Sequence, residues 1–370
     1  MNHWIEISKS ALIHNAQQIK AIVPNKKIGF VLKSNAYGHG LEIVASIINQ
    51  YSLADYIYVS SLEEALIARS IIEKKKIVIL SEIIDKELLE CCYHHNISLI
   101  VYSIDALKRI HEYMKQQPYS ITIHLKFETG MNRLGFLEND IDDIIFLISQ
   151  NIIIEGICTH CAESTLYNVD LINTQKIAFN RIVNRLKKIF PYVLTHVVSS
   201  GGIDIENEYD SFRAGSALYG LWKSHDQKKR VQEKYTIDYK SLMTYKSRIL
   251  QIKNIPAGSP VGYGEQMKVF RNSKIAILPL GYFHGYSRLL SHKSGVIINN
   301  TYAPLCGLVS MNMITVDVTD VPNITLDSIV TLISPDYNTI TIDTLAQYIN
   351  VPGITFSTGL SHVIPRIIVD

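Results

Sequence analysis

The first two-thirds of the sequence alternates short apolar runs with amphipathic stretches, and this alternation is the feature that most restricts the fold. Eight runs have the length and β-branched content of buried strands, and most are separated by segments with helical spacing, such as residues 61–68. The candidate strands are residues 28–32, 56–60, 77–80, 97–102, 121–127, 152–158, 194–198 and a short run near Phe212 or at 217–219. Eight βα units predict an α/β fold, a (β/α)8 barrel of the TIM type.

The pattern changes at about residue 234. Short β-rich runs follow at residues 243–252, 296–298, 314–318, 329–333 and 363–369, and residues 345–349 form the one convincing short helix. We therefore predict two domains, a barrel over residues 1–233 and a mainly β domain over residues 234–370. A first strand near residues 3–8 is a candidate to join the C-terminal domain.

Charge and apolar content exclude several classes of function. The 370 residues include 36 basic and 34 acidic side chains, and a net charge of +2 gives no case for a nucleic-acid partner. No window approaches the ~20 apolar residues of a membrane span, and the N-terminal residues lack a secretory signal pattern. We expect a cytoplasmic protein that acts on a small molecule.

The cysteines indicate neither a disulfide framework nor a metal site. Five cysteines without secretory context suit a reducing compartment. Cys158, His160 and Cys161 have the residue types of metal ligands, but no second cluster is spaced to complete a four-donor zinc site. No metal is expected.

A single lysine closes the first candidate strand. Lys33 ends an apolar run and precedes the turn-forming segment Ser-Asn-Ala-Tyr-Gly. An amine at the end of a barrel strand can form a Schiff base with a carbonyl cofactor such as pyridoxal phosphate. By position alone, a lysine that extends to solvent at a βα corner is the more common case, so both interpretations stay open.

Other site candidates also lie at or just after predicted strand ends, where barrel enzymes carry their reactive groups. They are Lys126, Arg133, His160, Ser199, Ser200, Arg213 and Gly215. The segments 199–202 (Ser-Ser-Gly-Gly) and Gly215-Ser216 offer backbone N–H groups and small residues for a cofactor phosphate, and Tyr37 offers a hydroxyl. The alternative for each glycine is a simple turn.

Arg213 lies between an aromatic residue and small residues, which is a poor place for a solvated charge. An arginine keeps its proton, so beside a pyridine nitrogen it would donate a hydrogen bond and leave that nitrogen unprotonated. The ring is then a weaker electron acceptor, which favours prompt reprotonation over transamination. The alternative is a structural ion pair with an acid such as Asp210.

Residues 31–40, Val-Leu-Lys-Ser-Asn-Ala-Tyr-Gly-His-Gly, closely resemble the pyridoxal-phosphate attachment motif of alanine racemases. Residues 126–136 resemble a second segment of that family, and the resemblance spans residues 4–369. It implies a fold-type III enzyme that uses pyridoxal 5'-phosphate to interconvert L-alanine and D-alanine by two-base α-proton transfer. It also implies a supply of D-alanine for peptidoglycan.

The resemblance also implies roles for individual residues. Lys33 and Tyr263 correspond to the two bases, and Tyr263 is expected to enter from the partner subunit of a head-to-tail homodimer, close to a histidine and an arginine matching His160 and Arg213. Lys126 corresponds to a lysine that is often carbamylated. The remaining matches, to residues that bind substrate or lie at the site, are Arg133, Met311, Tyr282 and His196.

Four positions depart from the family pattern. Ser199 and Ser310 replace a usual asparagine and cysteine, Asn312 replaces an aspartate, and His362 occupies a C-terminal position often held by tyrosine. The serines at positions 199 and 310 make the walls of the substrate pocket smaller and more polar, which suits a substrate that carries a hydroxyl group. Because pockets discriminate poorly against an added hydroxyl, a serine or broader-specificity racemase is the alternative function.

Two other classes fit less well. A non-catalytic pyridoxal-phosphate carrier would lack Tyr263 and the β-rich tail. A decarboxylase of the same fold type would present an acid where Arg213 lies, together with a cysteine that has an acidic partner, and Cys306 has no evident one.

Overall fold

A computed structural model describes residues 1–81, 83–162, 168–203, 207–263 and 268–370. Eight parallel strands close into a barrel in chain order, which confirms the predicted (β/α)8 fold. After β1 (His3–Ser8), the barrel strands are β2 (Lys27–Val31), β3 (Tyr56–Val59), β4 (Lys76–Ile79), β5 (Ile97–Val101), β6 (Ile121–Lys126), β7 (Ile152–Cys158), β8 (Leu194–Ser199) and β9 (Ser211–Ala214). The eighth barrel strand therefore lies at Phe212, whereas residues 217–219 belong to a 3-10 helix.

The helices follow the strands as the amphipathic segments predicted. Those of the first two-thirds of the chain are Lys9–Ile22, Leu41–Tyr51, Leu62–Ile71, Lys86–His94, Ile104–Met114, Ile141–Leu147, Val169–Leu186 and His225–Tyr235. Short 3-10 helices occupy Glu138–Asp140, Ser200–Gly202 and Ser216–Tyr219. Ser61, Asp85 and Ser103 each cap a helix by accepting a hydrogen bond from the backbone N–H three residues later.

The C-terminal part is mainly β, as predicted. Its strands are β10 (Met243–Ser247), β11 (Gln251–Ile255), β12 (Ser273–Leu278), β13 (Gly295–Ile298), β14 (Thr301–Pro304), β15 (Ile314–Asp317), β16 (Val330–Ile333) and β17 (Arg366–Val369). A six-stranded sheet has the order β14-β13-β16-β10-β1-β17, and a three-stranded sheet has the order β11-β12-β15. The first strand of the chain thus pairs with the C-terminal sheet, antiparallel to β10 and parallel to β17.

Two details of this part differ from the sequence expectation. The run 243–252 is two strands in different sheets, and the short connection between β10 and β11 includes the exposed residue Leu250. Two short α-helices are present, Ile342–Tyr348 and Gly353–Thr358, where one was expected; 3-10 helices occupy Tyr282–His284, Arg288–Leu290 and Asn338–Ile340. The division of the chain at residue 233 stays a prediction, and the helix His225–Tyr235 crosses it.

Polar side chains occupy part of the barrel interior. His124 of β6 and His196 of β8 are fully buried and hydrogen-bond across the barrel, and Arg213 of β9 is nearly buried beside them. Barrels of this type ordinarily fill that space with Val, Ile and Leu, so the polar residues call for a functional explanation. The larger apolar core lies between the strands and the surrounding helices.

No helix in the described part of the chain combines the length and the apolar content that crossing a bilayer requires.

Candidate active site

A cavity of about 400 Å³ opens at the carboxyl ends of the barrel strands. Ten residues singled out from the sequence line it: Lys33, Tyr37, Lys126, Arg133, His160, Ser199, Ser200, Arg213, Gly215 and Ser216. They come from different βα units, so only closure of the barrel brings them together.

Lys33 lies two residues after the end of β2 and begins a tight turn of left-handed backbone. The φ values of Ser34, Asn35, Ala36 and Tyr37 are 56°, 53°, 51° and 55°. Such a conformation costs roughly 1–2 kcal/mol per residue, so the surrounding structure must hold it. Asn35 supplies part of this support, since its N–H donates to Glu64 and its Oδ1 accepts from the N–H of Leu41.

The electrostatic setting of Lys33 disfavours its ammonium form. Burial lowers the pKa of Lys33, and the positive charge of Arg133 adds to the effect, while Glu64 opposes it. Burial likewise lowers the pKa of Lys126, with Cys158 opposing and Arg133 contributing. Both lysines are therefore more often neutral amines than a solvent-exposed lysine is at the same pH.

A small-residue cradle lies at one end of the cavity. Ser200 Oγ accepts hydrogen bonds from the N–H groups of Gly215 at 2.8 Å and Ala217 at 3.3 Å. A Cβ at Gly215 would lie 2.6 Å from the hydroxyl oxygen of Tyr37, whose ring stacks on Tyr219 at 4.9 Å. The cradle is thus shaped by the absence of a side chain at position 215.

The base of the cradle depends on a residue that sequence reasoning missed. Gln227, buried on the helix His225–Tyr235, donates through Nε2 to the carbonyl oxygens of Ser200 at 3.0 Å and Gly201 at 2.8 Å. The side chain of Gln227 also accepts from the N–H of Lys223. No helix was predicted around Gln227, so its inward-facing amide was not anticipated.

Arg213 is held by several acceptors at the centre of the cavity. Its guanidinium donates to the carbonyl oxygens of Thr159, His196 and Val197 at 2.8–2.9 Å, and to ring nitrogens of His196 and His160. Burial, followed by the charge of Arg213, lowers the pKa of His160 to about 2, so this ring is neutral.

The structure does not pair Arg213 with Asp210. Instead, Asp210 accepts hydrogen bonds from the N–H and hydroxyl of Thr195 at 2.8 and 2.7 Å, and it lies 3.6 Å from Lys187. The ion-pair alternative raised from the sequence is therefore wrong, because Asp210 precedes β9 and binds Thr195 and Lys187, whereas Arg213 donates to the carbonyl oxygens and histidine rings named above.

Three predicted site residues lie elsewhere. Tyr263, Tyr282 and Met311 belong to the C-terminal part, are 68%, 40% and 54% exposed, and do not line the cavity. Tyr282 donates its N–H to the carbonyl of Ser310 at 3.0 Å, which places Tyr282 beside Met311 on one surface. Within one chain, this surface is separate from the cavity.

The C-terminal residue near the cavity is not the one singled out from the sequence. His362 borders a different surface cavity, together with Asn35 and Glu64. Ile354, from the helix Gly353–Thr358, lines the active-site cavity instead. Sequence reasoning missed Ile354 because it did not predict that helix.

Comparison with known proteins gives one consistent family. The model of the alanine racemase N-terminal domain matches residues 7–223, and that of the C-terminal domain matches residues 242–368. An alanine racemase of Leptospira interrogans is 34% identical over 99% of this chain and 96% of its own length. Alanine racemase 1 of Clostridium acetobutylicum is 32% identical, with coverages of 98% and 94%.

A solved structure agrees with the sequence relatives. The alanine racemase of Clostridium difficile superposes on this chain with a TM-score of 0.92 at 25% identity. The superposition covers 100% of this chain and 96% of that chain. The similarity therefore includes both the barrel and the C-terminal part.

Proposed function

This chain belongs to the alanine racemase family, and from that premise we propose that it interconverts L-alanine and D-alanine with pyridoxal 5'-phosphate as its cofactor. The observation that carries the proposal is the convergence of Lys33, Arg213 and the cradle around Gly215 on one cavity. A carrier or binding protein would not need this combination together with a complete C-terminal domain.

The residues present fit this cofactor. Gly215 has no side chain and lies against the hydroxyl of Tyr37, and together with the hydroxyl groups of Ser200 and Ser216 it suits a phosphate. The lowered pKa of Lys33 suits an aldehyde. When bound, pyridoxal phosphate supplies an electron-accepting ring that makes the α-proton of an attached amino acid acidic. Tyr37, His160 and Ser199 complete the set of residues proposed to hold it.

Lys33 anchors the cofactor and acts as one of the two bases. Its lowered pKa makes the neutral amine, which is the form that attacks an aldehyde and accepts a proton, available at a lower pH than in a solvent-exposed lysine. Once the substrate amine has displaced it, Lys33 holds or returns the α-proton on one face of the α-carbon.

Arg213 fixes the electronic character of the cofactor. The two terminal nitrogens of its guanidinium are held by three carbonyl oxygens and by Nδ1 of His196, so its remaining N–H, on Nε, has a defined direction. Because arginine does not release its proton, it donates to the ring nitrogen and keeps that nitrogen unprotonated.

Tyr263 is proposed as the second base, supplied by the partner subunit of a head-to-tail homodimer. Its exposed side chain, with Tyr282 and Met311 on the same domain, supports a surface that is covered by a second copy. Arg133 at the cavity and Met311 of the partner subunit would hold the substrate carboxylate, with Tyr282 beside them.

Lys126 is proposed to carry a carbamate. The reaction of an amine with carbon dioxide requires the neutral form, which burial of Lys126 favours by lowering its pKa. The product is an anion, so it would turn a repulsive neighbour of Arg133 into a partner for its guanidinium. An intact-mass measurement under native conditions tests this step.

The experiment that tests the function compares initial racemisation rates of L-alanine and L-serine with added pyridoxal phosphate. Dominant turnover of L-alanine is the expected result. Comparable turnover of L-serine would favour the broader-specificity racemase and would assign Ser199, which lines the cavity, a role in specificity. No turnover of either substrate would contradict the proposal and favour a carrier.

The biological setting forms part of the same proposal. Supply of D-alanine for peptidoglycan and a cytoplasmic location are what the family assignment and the sequence composition support. Growth of a strain that lacks the gene, with and without D-alanine in the medium, tests the role.

A further inference from the structure

A chain of buried hydrogen bonds continues from Arg213 through the barrel, away from the cavity. Arg213 bonds Nδ1 of His196, and Nε2 of His196 lies 3.0 Å from Nδ1 of His124. Nε2 of His124 then lies 3.4 Å from Oε2 of Glu155. The chain therefore connects four residues of four strands, β9, β8, β6 and β7.

Glu155 lies at the opposite end of the barrel from the cavity. Its other neighbours are Tyr56 and Lys76, the first residues of β3 and β4, and Ser98, the second residue of β5. Their side chains lie 3.2, 3.2 and 3.3 Å from the carboxylate oxygens. The carboxylate is thus surrounded by donors at the amino ends of the strands.

The donors and acceptors fix the direction in which the hydrogen bonds of this series are donated. A guanidinium only donates, so Nδ1 of His196 must accept, and a neutral His196 carries its proton on Nε2. That proton is donated to Nδ1 of His124, whose own proton is then on Nε2 and is donated to Glu155. Each bond in the series runs from Arg213 towards the carboxylate.

The two ends of the hydrogen-bond series, Arg213 and Glu155, require the same direction of donation. A protonated Glu155 would donate to His124, and the reversed chain would leave a proton on Nδ1 of His196, facing the N–H of Arg213. An ionised Glu155 avoids this conflict. Although burial opposes ionisation, the hydrogen bond from His124 and the charge of Lys76 hold the pKa of Glu155 below its ordinary value.

The barrel backbone is irregular at these residues. Ile123 pairs with Ile154, but His124 pairs with Gly156, so Glu155 is the extra residue of a β-bulge in β7. Bulges re-aim side chains, and this one directs Glu155 into the barrel. A Cβ at Gly156 would lie 2.2 Å from Nδ1 of His124, so the glycine leaves room for the histidine ring.

A second irregularity lies beside Arg213. His196 pairs with Ser211, and Ser199 pairs with Arg213, so the register between β8 and β9 shifts by one residue between these pairs. Regular pairing through both sites would change which face of the sheet carries each side chain. Both register shifts thus occur at residues of the hydrogen-bond chain.

We propose that Glu155 and His124 are positioning residues of the racemase, which act through His196 to hold the guanidinium of Arg213 against the cofactor ring nitrogen. This inference rests on the proposed function, because it concerns how Arg213 meets that cofactor. The carboxylate provides the terminal acceptor that keeps His196 in the tautomer able to accept from Arg213.

The first test is a measurement on the wild-type protein. In the wild-type protein labelled with ¹⁵N-histidine, with and without the cofactor, His124 and His196 should both be neutral with the proton on Nε2 at pH 7. The variants His124→Asn and His196→Asn assign their signals. A proton on Nδ1 of either ring, or a charged ring, overturns the proposal.

The second test measures a side reaction that depends on Arg213. In transamination the α-proton moves to the carbonyl carbon of the cofactor, and water then hydrolyses the bond between the substrate carbon and nitrogen. Alanine leaves as pyruvate, having lost two electrons, and the cofactor keeps the amino group and those electrons as its reduced amine form. A displaced guanidinium leaves the ring nitrogen open to protonation, which favours this path.

Glu155→Gln keeps the size of the side chain, removes the charge, and allows an amide N–H to face His124. We expect the ratio of transamination to racemisation to rise about tenfold or more, since a hydrogen bond to a charged group is replaced by a neutral one. The matched control is Tyr56→Phe, which removes a different donor from the same carboxylate; its ratio should stay within about twofold of wild type.

The ratio separates a positioning role from a structural one. A merely structural defect in Glu155→Gln would lower the melting temperature and the fraction of sites that hold cofactor. Each site that holds cofactor would still show the wild-type ratio of transamination to racemisation. An unchanged ratio in a folded, loaded variant therefore overturns the proposal. Failure of wild-type racemisation would overturn the proposed function instead, and the tautomer measurement on the cofactor-free protein is independent of that result.

Discussion

Lys33 is the residue at which burial has the clearest chemical consequence. Burial and the charge of Arg133 lower its pKa, so the neutral amine becomes populated at a lower pH than in an ordinary lysine of pKa ~10.4. Protonation of Lys33 is disfavoured in the folded protein. The fraction of Lys33 in the reactive neutral form therefore rises with pH and reaches its maximum at a lower pH than in a solvent-exposed lysine.

We therefore predict that the rate at which cofactor-free enzyme attaches pyridoxal phosphate rises with pH and levels off below pH ~10.4. Stopped-flow absorbance of the attached cofactor measures this rate. Lys33→Ala is the control and should show no such absorbance after dialysis. A rate that still rises through the ordinary lysine pKa would contradict the assigned environment of Lys33.

Tyr263 leads to a prediction about proton exchange rather than net rate. The L and D enantiomers have equal free energies, so kcat/KM in the two directions stays equal in any variant, and only exchange of the α-proton separates the two bases. In Tyr263→Phe, exchange from L-alanine should fall by about 10²-fold or more, the usual contribution of a general base, while exchange from D-alanine through Lys33 largely persists.

Proton NMR of each enantiomer in heavy water measures this exchange directly. The residual exchange in Lys33→Ala serves as the baseline for both enantiomers. Equal losses from L-alanine and D-alanine in Tyr263→Phe would show that the two bases are not on opposite faces of the α-carbon.

At the scale of elements, the cradle depends on how two turns meet. The left-handed turn after β2 carries Tyr37, and the turn after β9 carries Gly215, whose missing side chain leaves room for the tyrosine hydroxyl. Each turn belongs to its own βα unit, and β2 and β9 are neighbours in the closed barrel. Closure of the barrel therefore creates the phosphate cradle.

This contact predicts a coupled pair of substitutions. Gly215→Ala should weaken cofactor binding about tenfold or more, because overpacking typically costs ~1–3 kcal/mol. In a Tyr37→Phe background the nearest atom to the new methyl group is Cζ at 3.2 Å instead of the hydroxyl oxygen at 2.6 Å, so the penalty should be smaller.

A titration of cofactor into the wild-type, two single-variant and double-variant proteins gives the four dissociation constants of the cycle. An equal penalty for Gly215→Ala in both backgrounds would mean that the tyrosine hydroxyl does not define the cradle.

At the scale of the whole molecule, the proposed site needs two chains. Lys33 lines the cavity of its own chain, whereas Tyr263 is exposed on the C-terminal domain. In such a dimer, each active site combines Lys33 of one subunit with Tyr263 of the other. A subunit that lacks only Lys33 and a subunit that lacks only Tyr263 can therefore form one intact site together.

We predict that Lys33→Ala and Tyr263→Phe proteins, each inactive alone, recover activity when co-refolded in equal amounts. Half of the dimers are then mixed, and each mixed dimer has one intact site, so about one quarter of wild-type activity is expected. Co-refolding Lys33→Ala with a Lys33→Ala/Tyr263→Phe double variant is the control and should stay inactive. No recovery in the first mixture would place both bases in one chain.

Much of the barrel could be predicted from the sequence because its signals are local. Buried parallel strands are short apolar runs, and the helices between them begin with capping residues such as Ser61 and Ser103. The C-terminal part was less predictable. Its strands pair over long sequence distances, so β12 and β14 were not recognised, and Leu250 gave no signal that the run 243–252 divides between two sheets.

The candidate site divides in the same way. Residues at strand ends, such as Lys33 and Arg213, could be located because a barrel gathers these positions at one mouth. Ile354 and Gln227 could not be located from the sequence, since each reaches the cavity or its cradle from a helix whose packing was not predicted.

By itself, the sequence determined the order of βα units, the reactive lysine at the end of the first barrel strand and the family resemblance. Only the tertiary structure decided that Arg213 bonds His196 rather than Asp210, and that His124 and Glu155 extend this contact across the barrel. The reason is geometric. Strand order follows from local patterns, whereas the direction of a side chain inside a closed barrel depends on register shifts that form only when non-neighbouring segments pair.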